Sequence, residues 1–138
     1  MKTLALSAIV AALILAPSAA SSPRSGELHA TKECSGFTGD PGSFCTIESS
    51  SLKQIEVGSK VVYLDPAAVD TAAGSDVVLD LPGPGNNQAF GHCSTATGHC
   101  AFWGGTGKFT WFHASVAVTY LGGLEYAWDG TFDFSPTG

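Results

Sequence analysis

Hydrophobic and polar residues alternate most cleanly near the C-terminus, where Leu124, Tyr126, Trp128, Phe132 and Phe134 share one parity and Glu125, Asp129, Thr131 and Asp133 share the other. Successive side chains of an extended strand point to opposite faces, so this pattern predicts a strand with one buried and one wet face. Upstream, Lys60-Val61-Val62-Tyr63-Leu64, Asp76-Val77-Val78-Leu79-Asp80-Leu81 and the run from Phe109 to Tyr120 are β-branched and aromatic. Gly58, Gly74, the Pro82-Gly83-Pro84-Gly85-Asn86-Asn87 cluster, Gly98, Gly104-Gly105, Gly107, Gly122-Gly123 and Gly130 cut the chain into pieces of strand length, and no piece keeps a helical period. Short antiparallel strands must curl into a barrel or a tight sandwich, because an open sheet leaves edges and an apolar face in water, and the lack of a helix to cover a sheet face favours the barrel. The expected fold is all-β, a small antiparallel β-barrel. In the run after the glycines, Phe109, Trp111, His113 and Ser115 share parity, which places His113 and Trp111 inside that barrel.

The N-terminus carries a different signal. Met1-Lys2, the uncharged apolar run Leu4 to Leu15 and the small residues Pro17-Ser18-Ala19-Ala20 have the layout of a secretory signal peptide cleaved near Ala20. The run is shorter than the roughly 20 apolar residues that cross a bilayer, so no membrane span is expected. Residues 1–20 are read as signal peptide, 21–32 as a flexible Ser-rich tail and 33–138 as one β-barrel domain, secreted or periplasmic. An oxidising compartment turns the four cysteines into disulfide partners. Three connectivities exist, and the turn-rich segments between Cys34 and Cys45 and between Cys93 and Cys100 favour local pairing, which staples the barrel. If Cys93 faces Cys100 in a hairpin, His92 opposes Ala101 and Phe90 opposes Trp103, with His92, His99, Phe90 and Trp103 on the side away from the disulfide. One hairpin face cannot then present two cysteines and two histidines to zinc, and no metal is expected.

Composition narrows the function classes. A net charge of -6 with only 13% charged residues leaves no basic surface for phosphates, so nucleic acid and anionic membranes are excluded as partners. The 44% hydrophobic content supports a folded core. Gly104-Gly105-Thr106-Gly107-Lys108-Phe109 fails as a phosphate loop, because Phe102 stands where its first glycine belongs and Phe109 where Ser or Thr would hold magnesium. There is no G-x-S-x-G elbow, no H-E-x-x-H and no calcium loop, and no cofactor is expected.

Phe102-Trp103-Gly104-Gly105-Thr106-Gly107-Lys108-Phe109, followed by Trp111-Phe112-His113-Ala114, resembles the G-G-T-G-[KR]-[FY]-x-x-A-R-G strand signature of the dirigent and allene oxide cyclase-like barrel families. Val57 to Tyr63 resembles their early strand, Cys93 and Cys100 the cysteine pair of bacterial members, and Glu125 to Phe132 their closing strand. The resemblance covers Leu52 to Phe134. It implies an eight-stranded calycin-type barrel with a central pocket, assembled as a homo-oligomer, a trimer in many members. The chain departs from the signature at His113, where the families carry Arg, and at Ala114, where they carry Gly. It is also one hairpin shorter between the cysteine pair and the G-G-T-G turn. The activities of the plant members therefore do not transfer.

Two readings follow. In the first, an exported barrel binds a small apolar or aromatic molecule, or a partner, without turnover, its pocket lined by His113, Trp111, Tyr63, His92 and Trp128. In the second, a cofactor-free cyclase or isomerase uses His113, His92 or Tyr63 as acid or base in the same pocket.

Overall fold

The structure, a computed structural model, describes residues 24–67 and 74–136. The signal peptide assigned to residues 1–20, with its cleavage site, lies outside the described residues. Eight strands follow one another: β1 (Ser25–Glu33), β2 (Phe44–Ser50), β3 (Lys60–Tyr63), β4 (Ser75–Asp80), β5 (Gln88–Ser94), β6 (His99–Gly105), β7 (Phe112–Gly122) and β8 (Glu125–Phe134). Each pairs antiparallel with the next, and β8 pairs with β1 to close the barrel. Closure satisfies every edge, which is how so small a sheet avoids exposed ladders. Both disulfides are local, Cys34–Cys45 and Cys93–Cys100, and all four cysteines are buried.

Residues 25–32 are not a loose tail. Ser25–Glu33 pairs along its length with β8, from Ser25 opposite Asp133 to Glu33 opposite Glu125, and Leu28, Ala30 and Lys32 are buried while His29 is exposed. The Ser-rich, charged composition masks a short period-two pattern that tertiary pairing completes. This strand supplies the closing wall.

Within β8 the alternation holds, with Trp128 and Phe132 buried and Asp129 and Thr131 exposed, but Leu124, expected on the same inner face, lies in the preceding turn and is exposed. Reading its inner face from Tyr126 to Phe134 follows the barrel from one end to the other. The Phe134 end is filled: Phe112 contacts Phe102, Phe109 and Phe134 at ring-centroid distances of 6.0, 5.2 and 5.2 Å. Trp128 caps this layer, 5.6 Å from Phe102. At Gly130 the walls come close, since a methyl group there would collide with the Ser115 carbonyl of β7.

The expected strand from Phe109 to Tyr120 begins only at Phe112. A single 3₁₀ turn occupies Gly107–Phe109, and Trp111 sits at φ 66°, in the left-handed region. Parity counts only along unbroken extended chain, so the turn reverses it: Phe112, Ala114 and Val116 face inward, and Trp111 and Ser115 are exposed. In the cysteine hairpin, Cys93 opposes Cys100 and His92 opposes Ala101 as expected. Phe90, however, opposes Gly104, not Trp103, because a bulge at Gly91 leaves Trp103 as the extra residue. A side chain at Gly91 would strike the Ala101 carbonyl and the Phe102 ring, so this irregular crossing requires glycine.

Candidate functional site

The end of the barrel opposite the phenylalanine cluster holds a cavity of about 210 Å³. Lys32, Tyr63, Tyr126 and Val118 line it from the strands, and both disulfides contribute to its walls. Phe37 reaches it from the loop that Cys34–Cys45 closes and meets the Tyr63 ring edge-on at 4.8 Å. The end of β5 adds Ser94 and the β5–β6 turn adds Thr95 and Gly98, and Tyr120 stands at the exposed rim near the β7–β8 turn.

Lys32 is the unusual member. Strand alternation turns it inward after Leu28 and Ala30, and a register shift between Thr31 and Lys32 sets it opposite Ile47 on β2 while it opposes Tyr126 on β8. Its Nζ donates to Tyr63 Oη at 2.8 Å and lies 5.5, 5.9 and 5.1 Å from the ring centroids of Tyr63, Tyr126 and Trp128. No carboxylate pairs with it among the described residues. A ring at such a distance attracts a desolvated ammonium by about 2 kcal/mol, against about 0.5–1 kcal/mol at an exposed site. Desolvating a lysine without a counter-ion costs several kcal/mol, and burial wins. It pushes Lys32 from 10.5 down to about 7. The Tyr63 phenol is pushed up, by burial first and by neighbouring Tyr126 second, so it keeps its proton. The site thus pairs an amine that sheds its charge near neutrality with a hydroxyl that stays protonated.

Of the five residues expected to line a pocket, the structure brings two to Lys32. Tyr63 is in the cavity wall, and Trp128 lies beneath the amine. The other three are on the outside. His92 is half-exposed, its Nδ1 2.9 Å from Asp76 Oδ1. Trp111 is 54% exposed. His113 sits on the outer face of β7 opposite Asp133, with Nδ1 and Oδ1 3.4 Å apart and out of line for a hydrogen bond. Among the described residues no histidine lines the cavity. His99 Nε2, also on the outer face, is 2.7 Å from Ser115 Oγ.

Lys32, Tyr126 and Phe37 were missed from the sequence. A signal for the first was present: Leu28, Ala30, Lys32 and Cys34 share one parity against His29, Thr31 and Glu33. A lone charge on the apolar parity of a strand marks a buried cation. Comparison of the chain with models of protein families, with curated proteins and with solved structures gives no match.

Proposed function

We propose that the chain is an exported barrel that binds a small aromatic molecule in the Lys32 cavity and releases it unchanged. The observation that carries the reading is the cavity itself: aromatic and disulfide walls around a few convergent polar atoms, the usual composition of a ligand site. An apolar cavity of about 150 Å³ takes benzene, so a space of about 210 Å³ suits one ring with a short polar substituent. The amine and the phenol orient that substituent. Two disulfides fit an oxidising compartment, which supports export. No helix among the described residues is long and apolar enough to cross a membrane.

The resemblance to dirigent and allene oxide cyclase-like barrels belongs to the same proposal. The closed eight-stranded antiparallel barrel supports it, as does a cavity at one end. A cyclase or isomerase that uses His113, His92 or Tyr63 as acid or base finds less support, because neither imidazole reaches the cavity and Tyr63, which does, is held in its protonated form by burial.

The test uses benzyl alcohol, a neutral single ring with one hydroxyl. Isothermal titration calorimetry on the wild type is expected to show saturable one-to-one binding. Val118→Phe, which fills the cavity from β7, is expected to weaken it at least tenfold with an unchanged far-UV spectrum. Absence of binding, or binding that Val118→Phe leaves intact, would refute the assignment.

A further inference from the structure

Resting on this reading of the cavity, we propose that Lys32 is a covalent capture site whose ε-amine condenses with the carbonyl carbon of a small aromatic aldehyde. The cavity offers a primary amine and walls that fit one ring, and no thiol competes with that amine, because all four cysteines are oxidised. An ammonium built to hold an anionic ligand would remain charged in the empty site, and such sites keep charge by supplying carboxylates or by staying hydrated. Lys32 has neither, with 3% exposure and a phenol as its hydrogen-bond partner.

The chemistry balances without a co-reactant. The nitrogen lone pair attacks the carbonyl carbon, the C=O π pair moves to oxygen, and one N–H proton passes to that oxygen to give a carbinolamine. Tyr63 Oη, 2.8 Å from Nζ, is placed to relay that proton. The second N–H proton then leaves with the hydroxyl as water, and the nitrogen lone pair forms C=N. One amine and one aldehyde become one imine and one water. When the imine takes up a proton from solvent, the rings of Tyr63, Tyr126 and Trp128 face the resulting cation.

Availability of the free amine separates Lys32 from the other lysines. The groups facing it are the phenols of Tyr63 and Tyr126 and the indole of Trp128, while Glu33 on its own strand has the outward parity. With its ammonium pushed down to about 7 by burial, Lys32 presents free amine at neutral pH. A hydrated lysine near 10.4 is free to well under one part in a thousand.

Benzaldehyde is the probe, because it matches benzyl alcohol in size and differs in carrying the carbonyl. The full protein is incubated with benzaldehyde and cyanoborohydride, which reduces imines and spares disulfides, and the modified lysine is mapped by peptide mass spectrometry. Labelling is expected at Lys32 at least tenfold faster than at exposed Lys53, Lys60 or Lys108, and benzyl alcohol is expected to slow it. The rate should rise through a midpoint about pH 7. Label confined to the exposed lysines would overturn the proposal, with or without a folded Lys32→Met variant for comparison. If benzyl alcohol binds and Lys32 stays unlabelled, capture fails and the binding function stands. If benzyl alcohol does not bind either, both fail.

Discussion

At the scale of single residues, the energetics turn on Lys32. Its charged form is disfavoured in the folded protein, from 10.5 down to about 7, because burial strips water from the ammonium and no carboxylate replaces it. Between those values the unfolded chain binds a proton that the folded chain lacks, so stability rises with pH across the window. The Tyr63 phenol is pushed up, so at higher pH it acts in the opposite sense as the unfolded phenol ionises first. His29 is held above its usual value by Asp129 first and Glu27 second, and its contribution is present at low pH and lost as pH rises through its raised value. That pair is exposed and screened by salt. Comparing urea midpoints at pH 7.5 and 9.5 in high salt therefore reads Lys32. The wild type is expected to gain about 2 kcal/mol between the two. Lys32→Met is expected to show no gain and to be the more stable protein at pH 7.5. A wild-type midpoint equal at both pH values would mean that the amine is hydrated.

At the scale of elements, what could be read from sequence depended on whether the chain stays extended. β8 was legible because Tyr126, Trp128, Phe132 and Phe134 alternate with Asp129, Thr131 and Asp133, and both disulfides were legible because each pair brackets a short turn. β7 was misread on its inner face, since no simple pattern announces that Trp111, a bulky residue, will take a left-handed conformation and reverse the parity of His113. β1 was lost for a different reason: its period runs through Leu28, Ala30 and Lys32, and a lysine at an inward position breaks a pattern judged by hydrophobicity. The tip of the cavity wall, in contrast, depends on a covalent link. Cys34–Cys45 joins positions 11 apart in sequence and holds Phe37 against Tyr63. Replacing both cysteines by alanine is expected to lower stability by about 2–3 kcal/mol. It should also weaken benzyl alcohol binding, because the loop loses its anchor. Equal loss of stability with affinity unchanged would separate Phe37 from the site.

At the scale of the whole molecule, the barrel divides its interior between two tasks. One end is packed with phenylalanine around Phe112 and gives the fold its rigid core; the other leaves room beside a buried amine. The fold class was legible because strand-length pieces, frequent glycine turns and the absence of helical period all point to a closed sheet. The site was only half legible: Tyr63 and Trp128 carry an aromatic signal, whereas Lys32 shows only as a lone charge on the apolar parity of β1, and its partner opposite on β2 is set by a register shift that sequence does not display. The most direct measurement is a carbon-13 NMR titration of the Lys32 ε-methylene, with and without benzyl alcohol. A single step about pH 7 that moves when benzyl alcohol is added is the expected result. A step near the roughly 10.4 of a hydrated lysine, unmoved by benzyl alcohol, would contradict the buried-amine cavity as a binding site.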